Sequence, residues 1–171
     1  MKRINKKRKN RTHDIRWLPV LCLAFFFLET GCGLLNQHDL LSLEQDIFHL
    51  INGHRKSLGL GELVWNDLIA QVCREHSKEM ASGASSFSHD GFDDRTGVIG
   101  RTIPYAQISE IIGYVVDVWG ISSPTERVFQ TWLTSASHLG AIEGDFELTG
   151  VGAARSGTTY YFSQIFLRKS H

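Results

Sequence analysis

The last quarter of the chain predicts a pair of β-strands, and this pair constrains the fold more than any other feature. "FELTGVGAA" (146–154) and "TTYYFSQIFLR" (158–168) are rich in β-branched and aromatic residues. The "RSG" between them suits a hairpin turn, because glycine tolerates the backbone conformations that tight turns need. The two strands predict a small antiparallel sheet on which the rest of the chain must pack.

Three upstream segments predict helices. Leu40–Leu58 and residues 67–82 carry apolar residues at helical spacing, and the second segment also has polar residues on the opposite face. The third is "SPTERVFQTWLTSASH". There we expect Ser123 at the N-cap, Pro124 at the first helical position and Glu126 at the third, which completes a capping box. This helix is expected to end near the next serine, with a histidine just beyond it.

Two further segments complete the predicted fold. "AQISEIIGYVVDVW" (106–119) is enriched in β-branched and aromatic residues and favours a strand. Gly83–Tyr105 is rich in Gly, Ser and Asp and is interpreted as a long irregular loop, a kind of segment that is often functional. Three helices around a small antiparallel sheet give an α+β fold, arranged as α/β/α layers.

The N-terminus predicts a targeting signal. Residues 1–16 are strongly basic, residues 17–28 carry no charge, and small residues follow, as in secretory signals. Cys32 in "ETGC" resembles the lipid-accepting cysteine of a bacterial lipobox, although Glu29 stands where an aliphatic residue is usual. Plain secretion and an uncleaved anchor stay open as alternatives. The expected organisation is a signal peptide at 1–31, a tether at 32–39 and one domain at 40–169.

Charge and cysteine content narrow the class of protein. Residues 1–31 hold 8 of the 18 Lys and Arg but only 2 of the 18 Asp and Glu. The remaining 10 basic and 16 acidic residues give a formal net charge of −6, which argues against nucleic acid as a partner. Once Cys22 and Cys32 are assigned to the N-terminal segment, Cys73 is left alone. The domain therefore has no intrachain disulfide and depends on its core.

Seven short motifs follow one another along the chain: "LINGHR", "HSKEM", "FSHDGFDDR", "SEII", "VFQTWLTSASH", "TGVGAA" and "YYFSQIFL". In this order and spacing they resemble the bacterial branch of the CAP superfamily, which groups cysteine-rich secretory, antigen 5 and pathogenesis-related 1 proteins. The resemblance covers Leu40–Leu167 and implies a three-layer α/β/α sandwich.

The resemblance implies a cleft with two histidines and two glutamates. His89 in "FSHD", Glu110 in "SEII" and His138 in "TSASH" match three of these positions, and Ser135 stands near the fourth. His89, Glu110 and His138 together are a ligand set that suits a divalent cation, zinc above all. The catalytic residues, if there are any, are unknown.

Each of these residues also has a plainer interpretation. His89 alone can be a loop histidine, Glu110 a charge at a strand edge, and His138 a cap on the preceding helix. His76 lies in an apolar row and is interpreted as a core histidine. The family motif in the first helix supplies two residues that we expect to be structural, Asn52 and Arg55.

The sequence favours a binding module over an enzyme. The expected protein is extracytoplasmic, lipid-anchored or secreted, and its cleft takes a divalent cation or a small apolar ligand. The expected partners are therefore a small ligand or lipid, or a protein of the cell envelope or extracellular space. One alternative is a metal-assisted hydrolase of peptide or envelope material, with Glu110 as base or ligand. Another is a surface interaction protein with a vestigial cleft.

Overall fold

The computed structural model describes residues 26–117 and 123–170, with side chains from Asp39 onwards. The chain divides after Leu35 into two units, and the second, Asn36–His171, holds the sheet. Of the predicted signal segment 1–31, residues 1–25 lie outside the described part. The elements are α1 Phe26–Ser57, β1 Val64–Trp65, α2 Asp67–Ser82, α3 Phe92–Gly100, β2 Tyr105–Val116, α4 Pro124–Leu133, α5 Ala136–Ile142, β3 Leu148–Ser156 and β4 Thr159–Lys169.

The four strands form one sheet in the order β1-β3-β4-β2. The predicted hairpin is confirmed: β3 and β4 are antiparallel, and Gly157 in the turn has a φ of +58°, a region that favours glycine. β2 pairs with the other side of β4, also antiparallel. The prediction of an all-antiparallel sheet is wrong at one edge, because β1 runs parallel to β3. A parallel pair is allowed here, since α2 to α5 and β2 connect the two strands.

The helix predictions are confirmed in position but not in every detail. α1 covers the predicted residues 40–57 and begins earlier, at Phe26, so the segment predicted as a tether is helical. α2 begins where expected, and the Asn66 side chain accepts a hydrogen bond from the Ile69 amide at 3.1 Å. α4 begins at Pro124, but no capping box forms. The Ser123 hydroxyl lies 2.5 Å from the hydroxyl of Thr125 instead of capping the helix amides.

Two short helices were not predicted. α3 lies inside the segment interpreted as an irregular loop, and α5 follows α4 directly. α3 buries only two residues, Thr96 and Ile99, so it has no apolar stripe for a sequence to display. Its first turn follows Gly91, whose φ of +74° turns the chain into the helix.

The sheet lies between two apolar layers, which confirms the three-layer α/β/α arrangement. Side chains alternate along β4, so Phe162 and Phe166 pack with α1, α4 and α5, while Ile165 and Leu167 pack with α2 and α3. Trp132 of α4 is fully buried in the first cluster. Across the described residues, no helix is both long enough and apolar enough to span a bilayer.

Two glycines of β3 fix how closely α2 lies on the sheet. A Cβ added at Gly150 would come within 2.2 Å of the Ala70 amide nitrogen, and one at Gly152 within 2.1 Å of the Arg74 amide nitrogen. No side chain fits at such distances, so the "TGVG" motif lets the helix backbone rest directly on the strand.

Candidate functional site

A groove of about 640 Å³ opens between β2, α4 and the loop that precedes α3. Its floor is formed by Trp132, whose indole N–H donates to the Ile112 carbonyl at 2.9 Å. Helix α4 approaches β2 closely at Gly113, where a Cβ would lie 2.4 Å from a methyl carbon of Val128. The groove walls include His89 and His138, two of the predicted cleft residues.

The mouth of the groove carries exposed aromatic side chains that the sequence analysis did not single out. Phe87 is 45% exposed and Tyr114 is 54% exposed. Their rings meet edge to face with centroids 5.0 Å apart. Exposed aromatic surface beside a concave site is typical of a groove that binds an apolar ligand.

Glu110 lies behind His89 and is almost completely buried. Its side chain is 1% exposed, and one carboxylate oxygen lies 2.9 Å from His89 Nδ1. The guanidinium of Arg95 donates to both oxygens of the same carboxylate, from Nε at 2.8 Å and from Nη2 at 2.6 Å. This is the bidentate geometry of a strong charge-assisted pair, so the carboxylate is ionised and accepts every one of these hydrogen bonds.

Arg95 is the residue of this site that sequence reasoning missed. It lies on α3, the unpredicted helix, and its Nη1 also donates to the Asp90 carbonyl at 2.8 Å. The one available signal was a single arginine within the acidic stretch "FSHDGFDDR", six residues after His89. As part of a loop it had no predictable direction. As part of a helix it points back to the strand that carries Glu110.

His138 lies on α5 and faces the groove. Its Nδ1 is buried, and no described residue makes a hydrogen bond with it. Burial lowers the pKa of this imidazole, and the nearby charge of His89 lowers it further. His138 is therefore a neutral side chain at pH 7, with hydrogen-bonding capacity left for a ligand or water.

Ser135 occupies the N-cap position of α5. Its hydroxyl lies 3.1 Å from the hydroxyl of Ser137 and makes no hydrogen bond with His138. Ser135 is also not among the residues that line the groove. The position that the resemblance reserves for a second glutamate is thus filled by a side chain that contributes no charge to the groove.

The three predicted metal ligands do not fit a divalent ion as they are placed. Both oxygens of Glu110 are held by Arg95, and His89 Nδ1 is directed at the same carboxylate. Among the described residues, no three His, Cys, Asp or Glu side chains come together as a metal site. The divalent cation stays a prediction, and the position of the guanidinium argues against it.

His76 supports the loop that carries the groove residues. It is confirmed as a core histidine, since only 1% of it is exposed. Its Nε2–H donates to the Ser88 carbonyl at 3.1 Å, which fixes the backbone between Phe87 and His89. Burial lowers the pKa of His76, and the charge of Arg95 acts in the same direction.

Asn52 and Arg55 join α1 to the segments around it. The Asn52 amide exchanges two hydrogen bonds with the backbone of Leu63, at 3.0 and 2.9 Å. Arg55 donates to the carbonyls of Gly61, Ile142 and Gly144 at 2.8 to 2.9 Å. These buried and partly buried contacts hold the end of α1 against the loop before β1 and the end of α5.

The fold and the groove define an α/β/α sandwich domain with a histidine-lined cleft. The family model described as "CAP: Cysteine-rich secretory protein family" matches residues 48–166. The chain belongs to this family. No curated protein is significantly similar to it in sequence.

Solved bacterial structures share the fold. An outer surface protein from Borrelia burgdorferi is 21% identical with a TM-score of 0.62, covering 75% of this chain and 94% of that one. An extracellular protein with an SCP domain from Bacillus anthracis is 25% identical with a TM-score of 0.61, covering 78% of this chain. A cysteine-rich secretory protein from Staphylococcus aureus is 21% identical with a TM-score of 0.58, also covering 78%. The chain spans only 43% and 39% of the last two.

Proposed function

We propose that this protein is an extracytoplasmic binding module whose groove takes a small amphipathic ligand. The observation that carries the proposal is the groove itself: about 640 Å³, with Trp132 as its floor and exposed Phe87 and Tyr114 at its mouth. Ligand pockets in proteins usually have volumes of about 300–1,000 Å³ and combine apolar walls with a few polar groups. Here the polar groups include the imidazoles of His89 and His138 and the guanidinium of Arg127, which also donates to the Val116 carbonyl at 3.1 Å.

The groove supports binding better than it supports hydrolysis. A metal-assisted hydrolase would need Glu110 free to act as a base or to hold the metal ion. Both oxygens of Glu110 are already engaged by Arg95. The hydroxyl of Ser135, which stands near the fourth cleft position, pairs with Ser137 and not with a histidine that could activate it. The arrangement therefore favours a site that recognises a molecule without transforming it.

A groove-filling variant tests the proposal. The uncharged fluorescent probe N-phenyl-1-naphthylamine is titrated against the full chain, and binding is followed by its emission. Thr131→Trp fills the groove from α4 and is expected to weaken probe binding by at least about tenfold. Gln130→Trp is the matched control, because Gln130 is the exposed neighbour of Thr131 and does not line the groove. Equal binding by both variants, or no binding by the wild type, would refute the proposal.

We also propose that the domain is held at the membrane surface through a lipid on Cys32. The support is the basic, apolar and small-residue order of the first 32 residues, together with a structural relative described as extracellular. Cys32→Ser is expected to move the protein from the membrane fraction to the soluble extracytoplasmic fraction. Cys22→Ser lies within the predicted signal and serves as the control. Unchanged fractionation of Cys32→Ser would contradict the anchor.

A further inference from the structure

We propose that Arg95 is the internal cation of this groove: it takes the place of a metal ion at Glu110 and orients His89 to accept a hydrogen bond from the ligand. The ligand preference rests on the proposed function, whereas the role of Arg95 does not. In this proposal Arg95 is a positioning residue, since it touches Glu110 and not the ligand.

Arg95 occupies both carboxylate oxygens of Glu110, where a metal ion would bind. Nε and Nη2 donate to the two carboxylate oxygens at 2.8 and 2.6 Å, and Nη1 is held by the Asp90 carbonyl. The two side chains are 11% and 1% exposed, so water screens their attraction little. A divalent ion that bound Glu110 would compete with a largely buried guanidinium, which would lose its carboxylate partner and keep only backbone carbonyls.

The pair also decides which nitrogen of His89 carries the proton. An ionised carboxylate only accepts hydrogen bonds, so at 2.9 Å from Glu110 the Nδ1 of His89 must be the donor. In a neutral imidazole the other nitrogen, Nε2, is then unprotonated and can only accept. His89 is 52% exposed and lines the groove, so a ligand can reach it.

This fixed tautomer selects a class of ligand. A hydroxyl on an apolar body can donate to the Nε2 of a neutral His89, whereas a carboxylate would place an acceptor against an acceptor. The groove is thus expected to prefer a neutral, donor-bearing amphiphile, such as a long-chain alcohol, over the corresponding fatty acid. It needs no metal to do so.

Zinc titration of the full chain tests the internal cation. Wild type and Arg101→Gln, an exposed control arginine, are expected to show no saturable zinc binding that depends on His89. Arg95→Gln is expected to bind zinc at least about tenfold more tightly, because Glu110 and His89 are released as ligands. Adding Glu110→Gln should remove this gain. Zinc binding by wild type that depends on His89 and Glu110, or no gain in Arg95→Gln, would overturn the proposal.

A second measurement keeps the proposal testable if Arg95→Gln does not fold. Nitrogen-15 NMR of the histidine rings in wild type at pH 8 is expected to show His89 with its proton on Nδ1. An Nε2-protonated His89 would overturn the orientation that we infer. This readout uses no variant and no ligand, so it is independent of whether the groove binds the naphthylamine probe.

The ligand preference is tested by competition with the bound probe at pH 8. Decan-1-ol is expected to displace N-phenyl-1-naphthylamine at concentrations at least about tenfold lower than decanoate. His89→Leu should remove most of this discrimination, which separates the effect of the imidazole from the net negative charge of the domain. Equal displacement by the two competitors in wild type would refute the preference. If the probe does not bind at all, the proposed function is refuted. The zinc and NMR measurements still test the role of Arg95, because neither uses the probe.

Discussion

At the scale of single residues, Cys73 shows how burial suppresses chemistry. The side chain is fully buried on α2, and its Sγ lies 3.3 Å from the Gly150 carbonyl, to which the thiol donates. Burial raises the pKa of the thiol, and the charge of Glu110 raises it further. Since the thiolate is the reactive form, the native protein should leave this residue untouched by alkylating reagents.

We therefore expect Cys73 to stay unlabelled when folded protein is treated with iodoacetamide at pH 8 and digested for mass spectrometry. In about 6 M guanidinium chloride, which unfolds the protein and exposes the thiol, the same peptide should become fully labelled. Rapid labelling of Cys73 under native conditions would show that α2 does not stay closed on the sheet.

Some residues of the site could be predicted from the sequence, and one could not. His89, Glu110 and His138 were predicted because each sits in a motif of the resemblance, and the structure brings them to one region. Arg95 could not be predicted, because its role depends on a helix that buries only two side chains. From residue types alone, two imidazoles and the Glu110 carboxylate predict a metal site. That prediction could not include the Arg95 guanidinium, which occupies the carboxylate in the structure.

At the scale of elements, the contact between α2 and β3 depends on the absence of a side chain at Gly152. A Cβ there would lie 2.1 Å from the Arg74 amide nitrogen and from the carbonyl carbon of Cys73, both backbone atoms. Backbone cannot move aside as a side chain can, so the helix would have to lift from the sheet. Gly152→Ala is expected to lower the free energy of unfolding by about 3 kcal/mol.

Gly53→Ala is the matched comparison for this prediction. Gly53 is an exposed position within α1, and a Cβ there meets nothing within 4 Å. Alanine in a helix interior is expected to raise the free energy of unfolding by about 0.5–1 kcal/mol. Urea unfolding followed by circular dichroism measures both variants. A Gly152→Ala protein as stable as the wild type would contradict the close approach of α2.

The long elements could be predicted from the sequence, whereas the short ones could not. The long strands and the helices with an apolar stripe were predicted, because periodic burial leaves a periodic sequence. β1 is two residues long and pairs with β3 through an edge that only the tertiary fold creates. α5 has seven residues and begins only three positions after the end of α4, so the sequence pattern did not show that a second helix starts after Ser135. Short elements are determined by their neighbours more than by their own residues.

At the scale of the whole molecule, buried polar groups join the layers. Glu44 of α1 is 1% exposed and accepts from Arg74 of α2 and from the Ala153 amide of β3. Near the other end of α1, Arg55 donates to the carbonyls of Ile142 and Gly144 and ties α1 to the end of α5 within one layer. Because such groups lose a partner when any layer moves, helices on both faces and the sheet are expected to unfold together.

This coupling makes global stability sensitive to buried histidines. Burial lowers the pKa of both His76 and His138, so each binds a proton more readily in the unfolded chain than in the native one. As pH falls through the unfolded histidine pKa of about 6.5, the unfolded state gains protons first and stability drops. Glu44, whose pKa burial raises, contributes in the opposite sense, so a comparison of variants is needed to isolate the histidines.

We expect the free energy of unfolding, measured with urea, to fall by on the order of 1 kcal/mol between pH 7.5 and pH 5. In His76→Gln the fall should be smaller, because the group that titrates is gone while the Gln amide, placed near the position of Nε2, can still donate toward the Ser88 carbonyl. His49→Gln, at an exposed position of α1, should behave like the wild type. An equally large fall with and without the His76 imidazole would mean that His76 is not held neutral in the native state. The loop that carries His89 would then need another anchor than the imidazole beneath it.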